Sequence, residues 1–173
     1  MIRRIWLSML LAFALVACET TAGDPNAGTT SGVSRGELRN KSAVRFRQLD
    51  AINALRTDRG LVPLQYSQAL NSAALTHARD MALQQRAWHF GTDRSNPQSR
   101  AVRAGFSGTV VGENIAESFD SDLETLQNWL NSRNGADVVL NPRATSIGFA
   151  WFQESSGKVW WVQTVGRPGQ PGT

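Results

Sequence analysis

Between residues 46 and 55 apolar side chains return at three-residue steps, as Phe46, Leu49, Ile52 and Leu55, which predicts an amphipathic helix ending at Gly60. Ser34 and Glu37 stand at capping-box spacing ahead of it. A second helix is predicted from about Ser67 to Gln85, with Leu70, Ala73, Ala74, His77, Ala78 and Met81 along its buried stripe. Asn96 followed by Pro97 reads as a cap with proline in the first turn, opening a short helix that Gly105 closes. Ser121 and Glu124 repeat the capping-box spacing and open a fourth helix, with Leu123, Leu126 and Leu130 on one face. After residue 145 the period changes. Ser146–Gln153 and Lys158–Val165 are aromatic and β-branched and are joined by Glu154-Ser155-Ser156-Gly157, which predicts an antiparallel hairpin. Its Trp151, Trp160 and Trp161, with Trp88, are expected in the core. Helices followed by strands predict an α+β domain rather than a doubly wound sheet.

The first residues follow another logic. Arg3 and Arg4 precede a 13-residue stretch, Ile5 to Ala17, broken only by Ser8. That suits the apolar part of a secretory signal and is too short to span a bilayer as a helix. The stretch ends in Leu15-Val16-Ala17-Cys18, which resembles the bacterial lipobox. The resemblance implies that residues 1–17 are removed and that Cys18 carries the lipid. Cys18 is the only cysteine, so no thiol nucleophile is left for catalysis. Glu19 favours an outer-membrane placement facing the periplasm over the inner membrane or cell surface. Residues 18–34, rich in Gly, Thr and Ser, read as a tether with a reach of roughly 20–25 Å. Residues 35–173 are then one ordinary domain, able to bury a core without disulfides.

Charge narrows the partners. Without Arg3 and Arg4 the formal net charge falls from +4 to +2, and an exported chain is not expected to meet nucleic acid. Arg35, Arg39, Lys41, Arg45 and Arg47 cluster beside the tether; a solvated helix face is the expectation, with anionic lipid headgroups as the alternative.

The order of several short fragments is more specific than any of them alone. Leu49-x3-Asn53-x2-Arg56-x3-Gly60-Leu61-x-Pro63-Leu64 is followed by Leu70-x2-Ala73-Ala74-x2-His77-Ala78-x-Asp80-Met81-Ala82 and Trp88-His89-Phe90. Then come Gly112-Glu113-Asn114-Ile115-Ala116, Trp129-x2-Ser132, Leu140-Asn141-Pro142, Ile147-Gly148-Phe149-Ala150 and Trp160-Trp161-Val162-Gln163. From Val44 to Gly166 the chain resembles the CAP domain family, which includes cysteine-rich secretory proteins, insect venom antigens, plant pathogenesis-related proteins and bacterial exported proteins. The resemblance implies an α-β-α sandwich with a small antiparallel sheet between helical layers. It also implies a cleft lined by two histidines and two acidic residues, able in some members to hold zinc. His89 and Glu113 match one histidine and one acid, and Asn114 follows in the same motif. The second histidine's place falls on Gly135, and Asn131 to Asp137 contain no histidine; the other acidic position holds Asn131 or another non-acidic residue. Two ligands hold zinc poorly, so no cofactor is expected and zinc at most weakly, with Asp137 able in principle to swing into the vacated place. His77, on an apolar helical stripe, is expected to be a hydrogen-bonded core residue.

Other chemistries find less support. Gly105-Phe106-Ser107-Gly108 misses the nucleophile-elbow spacing by one residue. The acids Glu113, Glu117, Asp120, Asp122 and Glu124 could suggest paired carboxylates acting on sugars, but three of them flank a helix start, where negative charge is favoured. The expectation is a lipid-anchored, extracytoplasmic, non-enzymatic module binding a hydrophobic or sterol-like ligand, a cell-wall component such as peptidoglycan, or a protein partner. The alternative is a hydrolase with His89 as base and Glu113 as its orienter.

Overall fold

The computed structural model describes Leu38 and residues 40–169. The predicted signal segment, Cys18, the tether, the Ser34/Glu37 capping box, Arg35 and Arg39 lie outside the described residues. The described elements are α1 (Lys41–Thr57), β1 (Gln65–Tyr66), α2 (Gln68–Gln84), α3 (Pro97–Arg103), β2 (Gly108–Glu117), α4 (Asp122–Leu130), α5 (Arg133–Val139), β3 (Ser146–Gln153) and β4 (Val159–Pro168). None of the described helices is long and apolar enough to cross a membrane.

The sheet runs β1-β3-β4-β2. β3 and β4 form the predicted antiparallel hairpin, and β2 pairs antiparallel with β4. The sheet is mixed rather than purely antiparallel, because the two-residue β1 lies parallel to β3. Alternation along the strands sends side chains to opposite faces. Trp160, Val162 and Ala150 pack on Ala74, Ala78 and Met81 of α2. Trp161, Val165, Ile147, Phe149 and Trp151 pack with Val44 and Ile52 of α1, Leu126 and Trp129 of α4 and Val139 of α5. Phe149 and Trp161 stack at 5.7 Å, and Trp129 meets Phe149 edge-on at 6.3 Å. The result is an α-β-α sandwich with a core on each side of the sheet. α2 crosses β3 so closely that a Cβ on Gly148 would lie 2.2 Å from backbone atoms of Leu70 and Asn71, so only glycine fits there.

α2 keeps its predicted bounds and buried stripe, with the Ser67 side chain accepting from Leu70 N and Gln85 closing the helix in the left-handed conformation at φ 51°. α3 also keeps its start: Asn96 accepts from Ser99 N, and the Ser99 hydroxyl accepts in return from Asn96 N. α1 differs. Its cap is Asn40, and its buried positions are Val44, Gln48, Ile52 and Arg56, at four-residue steps; Phe46 is exposed. Leu49, Ile52 and Leu55 still pack on the core, and Arg56 widens the inward face. This arginine is fully buried and donates to four carbonyls, those of Val62, Val139, Asn141 and Ala144, at 2.9–3.0 Å, so α1 turns this residue inward. α4 turns Leu123 out and Asp122 in, where Asp122 accepts from Arg47 Nε at 3.0 Å. Two residues of the expected basic cluster are thus withdrawn from the open surface, Arg47 by this pair and Arg45 by partial burial.

β2, at the edge of the sheet, is bounded by side chains that take up its outward backbone groups. Gln98 donates to Gly108 O and accepts from Val110 N, Asn141 Nδ2 donates to Val111 O, and Trp129 Nε1 donates to Ile115 O. β2 bulges between Val110 and Gly112.

Candidate functional site

The loop from Trp88 to Asn96 leaves α2 and enters α3, and its polar groups tie it to both helices. His77, fully buried on α2, lies 2.8 Å through Nε2 from Trp88 O. A carbonyl only accepts, so Nε2 carries the proton, and Nδ1 has no partner among the described residues. Burial is the largest influence on His77 and lowers its pKa; the Glu113 carboxylate opposes the shift and the Arg100 charge adds to it. His77 is therefore the hydrogen-bonded core histidine that the sequence predicts. Asp80, one turn on, accepts from Thr92 N and Thr92 Oγ1 at 2.8 Å and from Gln84 Nε2 at 3.0 Å. Gln84 also accepts from Trp88 Nε1 and donates to Phe90 O.

His89 and Glu113 meet, as the resemblance implies. His89 Nδ1 lies 2.9 Å from Glu113 Oε1, and the acceptor is a carboxylate, so Nδ1 donates. The imidazole is half exposed, and its Nε2 has no partner among the described residues. The Glu113 side chain is only 3% exposed, and Arg100 is 4% exposed. Arg100 Nη2 donates to both Glu113 oxygens, at 2.9 and 2.8 Å, while Nη1 donates to the carbonyls of His89 and Ser95 at 3.0 Å. Thr164 Oγ1 adds a longer contact of 3.4 Å to Oε2. Arg100 thus joins α3, the loop and β2 at one guanidinium. Nothing in the sequence reading singled it out, since an arginine on a short helix reads as surface.

Asn114 does not join them. It is the next residue of β2 and faces the other side of the sheet, where its Nδ2 donates to Gly135 O at 3.0 Å and to Gln163 Oε1 at 3.3 Å. The motif therefore divides its work, Glu113 toward α3 and Asn114 toward α5. At Gly135, a Cβ would stand 2.4 Å from Trp129 O and 2.8 Å from Ser132 Oγ, so this backbone does not accept a histidine. Asn131 is the C-cap of α4, and its side chain accepts from Gln127 at 2.9 Å. The residues present do not suit zinc. Among the described residues no group of three His, Cys, Asp or Glu side chains is placed to hold a metal, and Glu113 already accepts from a buried arginine.

The family described as CAP, the cysteine-rich secretory protein family, matches residues 49–165. The chain belongs to this family. Within it, YkwD of Bacillus subtilis is 30% identical over 126 residues, covering 73% of this chain and 48% of YkwD. The membrane protein YlbC of the same organism is 27% identical over 100 residues, covering 58% of this chain and 29% of YlbC. The chain thus spans about half or less of these two relatives. Its CAP fold is shared with an outer surface protein of Borrelia burgdorferi, at a TM-score of 0.69 and 18% identity over 75% of this chain and 96% of that one. An extracellular SCP-domain protein of Bacillus anthracis superposes at a TM-score of 0.68 and 22% identity, over 78% of this chain and 44% of that one.

Proposed function

We propose that this CAP protein is a non-catalytic binding module of the cell envelope, anchored by a lipid on Cys18, that presents its cleft to a hydrophobic small molecule, a cell-wall component or a protein partner. The observation that carries the reading is the lock on Glu113. A carboxylate held at both oxygens by one buried guanidinium is a poor metal ligand and a poor base, and its arrangement suits a brace for the loop above it. The outer-surface and extracellular relatives support an extracytoplasmic place, and Glu19 supports the outer membrane, facing the periplasm.

Native mass spectrometry of residues 18–173 carrying Cys18→Ser, purified from the periplasm with and without zinc, tests the reading. A retained ligand mass with no zinc adduct is the expected result; a stoichiometric zinc adduct would overturn it. Lipidation is read separately, from the mass of the detergent-extracted native protein. One observation favours a hydrolase instead: Glu113 orients His89 through Nδ1 and leaves Nε2 as the ring's free nitrogen. Turnover of an ester or amide substrate that disappears in His89→Ala, with an unchanged melting temperature, would establish that second reading in place of the first.

A further inference from the structure

Apart from the Glu113 lock, the end of α2 and the loop that follows carry a surface with its own composition. Leu83 is 81% exposed and Phe90 50%. The Trp88 ring lies between them in sequence, partly buried, with Arg86 4.3 Å above its centre and the centre of the Phe90 ring 5.6 Å away at an interplanar angle of 60°. Leu83 also forms one wall of a groove of about 580 Å³ whose lining includes Arg79, Thr92, Asp93 and Arg103. Leu83 and Thr92 share this groove, and Gln84 donates to Phe90 O, so the loop runs beside the last turns of α2. Arg79 and Arg103 line that groove with Asp80 and Asp93, and Arg86 lies over the Trp88 ring. Both aspartates have taken partners: Asp93 accepts from Ser95 and then Arg103, which hold its carboxyl well below the usual range, and Asp80 accepts from Thr92 and Gln84.

Exposed aliphatic and aromatic tips with arginines beside them match the boundary of a bilayer, where apolar groups enter the acyl region and cations meet headgroups. We propose that this face docks on a membrane containing anionic lipid, with Leu83 and Phe90 inserted and the arginines against the headgroups. The excess of cations over anions is small, so the free domain binds weakly. The proposal rests on the lipid-anchor reading for one thing only, a tether of roughly 20–25 Å that keeps the face near a bilayer.

The single cysteine and the tryptophan burial allow a direct test. Residues 18–173 are coupled through the Cys18 thiol to a maleimide lipid in vesicles of phosphatidylcholine, alone or with an equal part of phosphatidylglycerol, whose acyl chains are brominated to quench tryptophan. Trp129, Trp151, Trp160 and Trp161 are all at most 7% exposed, so quenching reports Trp88. The expected result is quenching on the phosphatidylglycerol vesicles that vanishes in Trp88→Phe. It is lost in Leu83→Asp, and Arg79→Gln lowers the ratio of docked to undocked protein about fivefold. Absence of quenching on both vesicles overturns the proposal, as does quenching that persists in Leu83→Asp at an unchanged melting temperature. Retention on purified peptidoglycan without quenching also overturns it. Because chemical coupling replaces the native lipid, failure here is distinct from failure of lipidation at Cys18.

Discussion

Replacing Glu113 by glutamine would leave the Arg100 guanidinium, 4% exposed, without its counter-charge. Its remaining bonds to the carbonyls of His89 and Ser95 do not neutralise it. Removing one member of a buried ion pair costs about 3–5 kcal/mol, a large part of the 5–15 kcal/mol that holds an ordinary domain together. His89→Ala removes a bond from a half-exposed ring, which solvent screens, and is expected to cost below about 1 kcal/mol. Glu113→Gln should therefore destabilise several-fold more than His89→Ala, although the two residues share one hydrogen bond. Arg100→Met combined with Glu113→Gln should recover part of the loss, because the charge is then gone. Urea unfolding at pH 7, followed by the emission of the buried tryptophans, measures all three variants, and unchanged denaturant slopes keep the comparison valid. A Glu113→Gln variant within about 1 kcal/mol of the parent protein, or a His89→Ala variant equally damaged, would refute the lock.

Three further outcomes are expected. Gly135→His places a Cβ against the Trp129 carbonyl and should lower the melting temperature sharply without creating zinc binding, as calorimetry and zinc titration would show. Arg56→Met leaves four carbonyls without their shared donor and should cost about 3–5 kcal/mol in urea unfolding; a near-neutral result would mean those carbonyls find other partners. The lowered pKa of His77 means that the unfolded chain takes up a proton near pH 6.5 while the folded chain resists. Stability should then fall as pH drops below about 6.5, by up to about 1.4 kcal/mol per unit until the folded-state pKa is reached. The difference between unfolding free energies at pH 7.5 and 5.5 should shrink by that amount in His77→Gln, and an unchanged pH slope would contradict it.

The sequence made α2, α3 and the β3–β4 hairpin legible because their local signals agree with their burial: Ser67 and Asn96 cap, Gln85 ends a helix, and the strand tryptophans pack inward. α1 was legible as a helix and in Leu49, Ile52 and Leu55, which pack on the core, but not in its buried Gln48 and Arg56, which a hydrophobic pattern assigns to solvent. β2 was hidden by its place at the sheet edge, where Glu113 and Asn114 alternate between two polar partners instead of two apolar cores. α5 carries Asn134-Gly135, a turn signal by composition, and forms on the Ser132 cap nonetheless. Half of the site was legible as well. His89 and Glu113 are joined, but Arg100 comes from another helix, and only the folded chain brings it to them.

The side chains along β2 bear on how such a domain behaves when crowded. Proteins held on one surface meet repeatedly at high local density, and an open edge strand is then a template for joining chains into aggregates. Here Gln98, Asn141 and Trp129 already occupy backbone groups of that edge, and each comes from a different segment of the fold. A neighbouring copy must displace these bonds before it can add a strand, so the same contacts that fix α3 and α4 against the sheet also keep the folded domain colloidally quiet.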